Sequence, residues 1–187
     1  MGKEKVTKEQ AKHEVELATR RLGMMHIAYA KTLVEELGEE KGKEVVLKAI
    51  QKYGEYIGTQ VKNVVESEKL DLTPENYNIE KARTLPNIGL NDKVVEDEED
   101  RKVYGCTMAK VWRELDEEEL GKIYCYIDTA KYMYYNPNYK LTHIKAMPAH
   151  KTDYCLFSLE KTTEKEKKDF FEKKDWRYLD KNLKEGN

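Results

Sequence analysis

Three cysteines are the residues of this chain with the most distinctive chemistry: Cys106, Cys125 and Cys155. Their number is odd, they are widely spaced, and no secretory context is evident, so reduced thiols are expected rather than a disulfide framework. A reduced cysteine can act as a nucleophile, ligate a metal ion, or pack as a small apolar side chain. The residues alone leave these three roles open.

Cys106 is predicted to lie directly before a helix. The residues from Met108 to Leu115 have the pattern of a short helix, which carries Trp112. Unpaired backbone amides and the positive end of the helix dipole stabilise a thiolate at such a position. We therefore expect a lowered pKa at Cys106, which is the best placed of the three cysteines for this effect.

A later helix is predicted to carry a cysteine and a carboxylate on one face. The segment from Glu117 to about Asn136 has helical periodicity and cannot continue unbroken through the following proline. Cys125 and Asp128 share a face that differs from the apolar stripe of this helix. Tyr132 on the same face combines an apolar body with a polar tip. We predict a small-molecule pocket between this helix and the sheet.

Two strands are predicted to bring further functional side chains to that pocket. Leu141 to Met147 and Asp153 to Leu159 have the pattern of strands, and the connection between them is short enough for a hairpin. The two-residue period places Asp153 and Cys155 on one side of the second strand. His143 on the first strand could act as a general base or a ligand, although a single strand histidine is more often structural.

The N-terminal part, residues 1–70, is predicted to consist of two long antiparallel helices. Apolar residues recur every three or four positions from Thr7 to about Leu37, and again from Val46 to Val64. Gly38 and Gly42 interrupt the pattern between them. The predicted inward stripe of the first helix consists of Val15, Ala18, Leu22, Met25, Tyr29 and Leu33.

Residues 92–160 are predicted to form the sheet-containing part. Two short β-type runs, Lys93 to Val95 and Lys102 to Tyr104, flank the acidic stretch from Glu96 to Asp100. These runs form a hairpin or one long bent strand, and with the two later strands they make a sheet of about four antiparallel strands. The acidic stretch has no calcium-loop spacing and is interpreted as a solvated turn. The predicted class is α+β, with the long N-terminal helices and the third helix packed on the sheet.

Length and composition favour one soluble domain over residues 1–187, including a charged tail, 161–187, that either docks as a helix or frays. The 34 basic and 36 acidic residues nearly cancel, so neither nucleic acid nor a membrane surface is an expected partner. The charged N-terminus lacks the apolar stretch of a signal or spanning helix, and a cytoplasmic location is expected.

Five ordered blocks, spanning about half of the chain, resemble a known family. The blocks are Arg101–Cys106, Trp112–Leu115, Leu120–Asp128, Tyr135–Asn138 and Asp153–Phe157. In order and spacing they resemble the L-2-amino-thiazoline-4-carboxylic acid hydrolase family. The resemblance implies hydrolytic opening of a five-membered 2-aminothiazoline ring to a carbamoyl derivative of cysteine.

The implied reaction suggests roles for the candidate residues. The ring carbon between sulfur and nitrogen is amidine-like, so water or a thiolate attacks it and the ring sulfur leaves. Cys125 or Cys106 could be the nucleophile, with Asp128 or His143 moving protons. The substrate carboxylate could bind Arg101 or Lys145, and guanidinium suits it better than ammonium. The other candidates are Trp112, Tyr132, Asn136 and Asp153 for substrate binding and Cys155 for catalysis.

A rival hypothesis uses the thiols as metal ligands. Cys106, Cys125 and Cys155, with Asp128 or Asp153 as the fourth ligand, would make a tetrahedral zinc site. The protein would then be a small-molecule-binding module without turnover. Under the hydrolase hypothesis no cofactor is required, and either hypothesis leaves open a homo-oligomer.

Overall fold

The structure, a computed structural model, describes residues 5–96, 101–172 and 175–185. Within these ranges long helices pack with one four-stranded antiparallel sheet, so the predicted α+β class is confirmed. The elements are α1 Lys8–Leu37, α2 Glu39–Ser67, β1 Lys93–Glu96, β2 Arg101–Tyr104, α3 Thr107–Glu114, α4 Glu118–Cys125, α5 Ile127–Tyr135, β3 Tyr139–Lys145, α6 Met147–His150, β4 Tyr154–Lys161, α7 Glu164–Phe171 and α8 Lys181–Glu185. Short 3₁₀ segments cover Glu75–Asn78, Glu80–Ala82 and Arg177–Leu179.

The two long N-terminal helices are confirmed. α1 begins at a capping box, in which the side chains of Thr7 and Gln10 each accept a hydrogen bond from the other residue's backbone N–H. Gly38 then turns the chain into α2 with a φ of +81°, a conformation that glycine adopts without strain. None of the helices in the described ranges is both long and apolar enough to cross a membrane.

The inward face of α1 differs from the predicted stripe. Leu22, Met25 and Tyr29 are exposed to solvent, so the prediction that they pack inward was wrong. Helix α3 approaches α1 closely at Gly23, whose carbonyl accepts a hydrogen bond from the Trp112 indole at 3.2 Å. Close packing of this kind favours a helix face with small side chains over the face with the bulkiest apolar side chains. The buried residues of α1 are Thr19, Gly23, Ile27 and Ala30.

The predicted continuous helix from Glu117 to Asn136 is divided into α4 and α5. Tyr126 lies between them, and its N–H donates to the carbonyl of Ile123, three residues back, which tightens the turn. Tyr126 is buried and its ring packs edge-on against Trp176 of the C-terminal segment. A continuous helix was therefore the wrong prediction here, and this tertiary contact lies outside what local periodicity encodes. The predicted end at Asn136 is confirmed.

The sheet has the strand order β1-β2-β4-β3, with every neighbouring pair antiparallel, as predicted. Val103 of β2 lies opposite Cys155 of β4, and His143 of β3 lies opposite Phe157. β3 is an edge strand in this order. Of the predicted acidic turn, only Glu96 lies within the described residues, at the end of β1; residues 97–100 lie outside them.

The connection between β3 and β4 is not the simple hairpin loop that was predicted. β3 ends at Lys145, and Met147–His150 form the short helix α6. Pro148 suits the first turn of a helix, where its missing N–H is not needed. Lys151 ends the helix in the left-handed conformation, with a φ of +51°. The chain thereby folds Met147 inward, where it is almost fully buried.

Helix α5 is held against α2 at a close crossing. A Cβ added at Gly58 of α2 would lie 2.3 Å from the carbonyl oxygen of Lys131, and one at Gly54 would lie 2.4 Å from the Cβ of Ala130. Only glycine permits this approach of the two backbones. The crossing fixes α5 and, through it, the position of Asp128.

The C-terminal segment docks on the rest of the chain, which selects one of the two predicted alternatives. Four of its apolar side chains pack into the core, and at most 2% of each of these is exposed. Asp180 is buried among them and accepts a hydrogen bond from the backbone N–H of His143 at 3.0 Å. The apolar side chains that anchor the segment are Phe170, Trp176, Leu179 and Leu183.

Candidate functional site

The three cysteines lie close together, and two of them contact Met147. The backbone N–H of Cys106 donates to the sulfur of Met147 at 3.3 Å, and the N–H of Met147 donates to the sulfur of Cys155 at 3.4 Å. Cys125 lies at the end of α4, close enough for charge on either of the other two sulfurs to raise its pKa. The structure thus brings together the three cysteines that the sequence proposed as partners.

Burial raises the pKa of all three thiols. Desolvation is the main cause at each sulfur, and it raises the pKa of Cys155 to about 12 and that of Cys125 well above its usual value. The N–H groups of Ala109 and Met108 lower the pKa of Cys106, but desolvation outweighs them. The predicted thiolate at Cys106 was therefore wrong, because the helix start that should stabilise it is buried.

We expect the folded protein to react slowly with iodoacetamide at about pH 8, because the thiolate is the reacting species. The raised pKa of each cysteine leaves little thiolate at that pH. Mass spectrometry of the labelled chain measures the rate at each cysteine. The same protein unfolded in guanidinium chloride is the control. Rapid labelling of Cys106 in the folded protein would contradict a neutral thiol at this position.

The same shifts set the sign of the pH dependence of stability. A thiol whose pKa is raised by folding holds its proton in the folded state after the unfolded chain has lost it. The contribution of this thiol to the free energy of unfolding is complete below about pH 8.5, the unfolded pKa of cysteine. It is lost as the pH rises toward the pKa of the thiol in the folded state. For Cys155 that folded pKa is about 12. Urea unfolding across the alkaline range therefore gives a falling free energy of unfolding.

His143 lies between two carboxylates. Its Nδ1 is 2.7 Å from Oδ2 of Asp180, and its Nε2 is 3.5 Å from Oδ2 of Asp128. The imidazole is almost fully buried, with 1% of its side chain exposed, whereas Asp128 keeps 17% of its side chain exposed. An imidazole with a carboxylate at each nitrogen can take up and release a proton in a fixed direction.

Asp128 connects the imidazole to the thiols. Its carboxylate contributes to the raised pKa of Cys106, Cys125 and Cys155, which places all three sulfurs within range of its charge. Asp128 also forms an ion pair with Lys131 of the same helix, and that lysine is itself mostly buried. The predicted proximity of Cys125 and Asp128 is therefore preserved across the break between α4 and α5.

Asp180 is the residue of this cluster that sequence reasoning missed. It lies in the charged tail, 37 residues after His143, and nothing in the local pattern indicates a partner on a strand. A weaker signal was present. Asp180 precedes α8, and its Oδ1 accepts a hydrogen bond from the N–H of Leu183 at 3.3 Å, as a helix-capping aspartate does. That signal predicts a cap and gives no indication of the imidazole.

Trp112, Tyr132 and Asn136, which were predicted to bind substrate, make structural contacts. Trp112 is 1% exposed, and its indole N–H donates to a backbone carbonyl of α1. Tyr132 is buried and stacks on Tyr77, with ring centroids 4.2 Å apart. The side-chain amide of Asn136 donates to the carbonyl of Leu72 at 2.6 Å. These positions give no support to direct substrate contacts.

Arg101, Lys145 and Asp153 lie at the surface. Arg101 is ion-paired with Glu96, with Nε 3.0 Å from Oε1, at the far end of the β1–β2 hairpin. Lys145 donates to the hydroxyl of Tyr154 at 3.1 Å, and Asp153 is exposed just before β4. Of the two cations, Lys145 is the one on the strand that carries His143.

The zinc hypothesis finds no support in the side-chain geometry. Over residues 5–96, 101–172 and 175–185, no group of three or more His, Cys, Asp or Glu side chains is arranged to hold a metal ion. Two of the three cysteines contact Met147 instead of a metal-type donor: the backbone N–H of Cys106 donates to its uncharged thioether sulfur, and the sulfur of Cys155 accepts from its backbone N–H. The donor set therefore differs from that of a structural zinc site.

Two surface concavities of the described residues lie away from this cluster. One is lined by α2 between Glu55 and Val64, and the other by α1 between Glu14 and Met24. The pocket predicted between the third helix and the sheet is neither of them. Solvent reaches the cluster at Asp128 and Cys125, which are both half-buried.

These features define an α+β protein with a buried imidazole flanked by two carboxylates, one of which acts electrostatically on three thiols of raised pKa. The sequence model of the L-2-amino-thiazoline-4-carboxylic acid hydrolase family matches residues 18–159. The match covers about three-quarters of the chain, so the protein belongs to this family, and the resemblance found in its sequence blocks is confirmed. No curated protein and no solved structure matches the chain.

Proposed function

We propose that the protein hydrolyses a small cyclic amidine-like compound, such as L-2-amino-thiazoline-4-carboxylate, to a carbamoyl-cysteine product. Membership of a family named for this hydrolysis supports the proposal. The observation that carries it is the placement of His143 between Asp128 and Asp180. Ring opening needs a group that first accepts and then returns a proton, and a buried imidazole between carboxylates is suited to both steps.

The proposed nucleophile is water. Its oxygen bonds to the ring carbon as the C=N electron pair moves to the ring nitrogen, giving a tetrahedral adduct. The C–S bond then breaks, and its electron pair leaves with sulfur. One proton of the water ends on the ring nitrogen and the other on the sulfur, so the product carries a carbamoyl group and a free thiol. Nε2 of His143 and the carboxylate of Asp128 are the groups proposed to transfer these protons.

The cysteines are assigned a different part in this proposal. Cys125 and Cys106 were the candidate nucleophiles, but burial raises the pKa of both and favours the neutral thiol. A neutral thiol is a poor nucleophile and a weak hydrogen-bond donor. We assign the cysteines to the wall of the site. Lys145, on the same strand as His143, is the proposed partner of the substrate carboxylate.

The test is incubation of the purified protein with L-2-amino-thiazoline-4-carboxylate and detection of N-carbamoyl-cysteine by mass spectrometry. Product is expected from the L enantiomer, with the heat-inactivated protein as control. Because water is the proposed nucleophile, Cys125→Ala is expected to stay within about tenfold of the parent rate. Absence of product from this substrate and from a panel of cyclic amidines would overturn the proposal. Complete loss of activity in a folded Cys125→Ala variant would show that the nucleophile is the Cys125 thiol and not water.

A further inference from the structure

The C-terminal segment covers the edge of the sheet at His143, the residue to which the proposed function assigns proton transfer. β3 is an edge strand, so the backbone N–H and C=O of His143 on its free side need partners from outside the sheet. Asp180 accepts from that N–H at 3.0 Å, and the side-chain amide of Asn182 donates to that carbonyl at 2.6 Å. Two side chains at the start of α8 thereby satisfy the backbone groups of His143 on the free side of the strand.

Asp180 is held in a single orientation. Its Oδ2 accepts the backbone N–H of His143 and lies 2.7 Å from Nδ1 of the same residue. Its Oδ1 accepts the N–H of Leu183 at 3.3 Å, and the side chain is fully buried. Both oxygens are therefore engaged, and this carboxylate cannot turn away from the imidazole without losing bonds that no water can replace.

We propose that Asp180 is a positioning residue that keeps a proton on Nδ1 of His143 and so directs Nε2 toward Asp128 and the substrate. A neutral imidazole carries one N–H, and the nearer, fixed acceptor decides which nitrogen holds it. Asp180 is nearer, at 2.7 Å against 3.5 Å for Asp128. The catalytic consequence rests on the proposed function, whereas the proton position itself does not.

The two carboxylates then have different tasks. The 3.5 Å separation between Nε2 and Asp128 is longer than a normal hydrogen bond, so this nitrogen is free to exchange a proton with water or substrate. Asp128 is partly exposed, whereas Asp180 is sealed from solvent. The family match ends at residue 159, so the orienting carboxylate comes from a part of the chain that the match does not cover.

Asp180→Asn is the variant that tests the assignment. Asparagine has the same shape, and the orientation that keeps its oxygen as the cap of α8 turns its amide donor toward Nδ1 and moves the imidazole proton to Nε2, at the cost of the hydrogen bond from the His143 backbone N–H. We expect kcat to fall by at least about 100-fold with little change in KM, as happens when an imidazole is held in the wrong tautomer. Long-range ¹H–¹⁵N NMR of the imidazole should show Nδ1 protonated in the parent and Nε2 protonated in the variant.

Asn182→Ala is the matched control, because it removes a hydrogen bond to the same strand without touching the imidazole. It is expected to keep the parent tautomer and a kcat within about twofold of the parent. An Nε2–H tautomer in the parent would overturn the assignment even if Asp180→Asn failed to fold. Equal loss of kcat in both variants would reduce Asp180 to a structural role. If the parent shows no hydrolysis, the NMR result still decides the proton position.

Discussion

Replacing His143 with asparagine is expected to lower kcat by about 10²- to 10⁴-fold while the protein stays folded, because a general acid–base group contributes on this scale. The asparagine amide can donate to Asp180 in place of Nδ1, so the buried carboxylate keeps a partner. It cannot take up or release a proton near neutral pH. Mass spectrometry of the product measures kcat. Thermal unfolding monitored by circular dichroism shows whether the variant stays folded.

Two further variants separate catalysis from folding. His143→Ala leaves Asp180 buried without its imidazole partner and is expected to lose about 1–3 kcal/mol of unfolding free energy. His13→Asn alters an exposed histidine of α1 and is expected to change neither kcat nor stability. A folded His143→Asn protein with nearly the parent kcat would show that proton transfer does not depend on this imidazole.

Much of the fold follows from local pattern. The helical period locates α1 and α2, and the two-residue period with short turns locates the four strands. Cys125 and Asp128 were placed together from their spacing on one predicted helix, and they remain close even though that helix breaks at Tyr126. Proximity survives because the break is one tightened turn, which changes the direction of the helix only locally.

Other features of the site depend on contacts between distant segments. The Cys106 thiol stands at a helix start, as predicted, yet its pKa rises because surrounding elements remove water from it. Asp180 reaches His143 only after the C-terminal segment has docked, and composition left open whether that segment docks or frays. The inward face of α1 was likewise decided by the close approach of Trp112, which hydrophobicity along α1 cannot reveal.

Trp112→Ala is expected to destabilise the protein by about 3–5 kcal/mol, the usual cost of truncating a buried tryptophan. The indole is 1% exposed and packs near His26 and Tyr124, with ring centroids 5.8 Å and 6.0 Å away. A Cβ added at Gly121 would lie only 2.4 Å from the indole, so α4 is shaped around this ring. Truncation therefore leaves a cavity between α1, α3 and α4, and urea unfolding measures its cost.

The same variant separates the structural role of Trp112 from the substrate-binding role that its sequence block suggested. Leu115→Ala is the matched control, since this leucine closes the same helix but is half exposed and should change stability by about 0.5 kcal/mol or less. A Trp112→Ala protein with parent-like stability and a raised KM would place the indole in contact with substrate. Loss of stability, with kcat and KM retained in the fraction that stays folded, assigns Trp112 to the core that supports α4 and, through its end, Cys125.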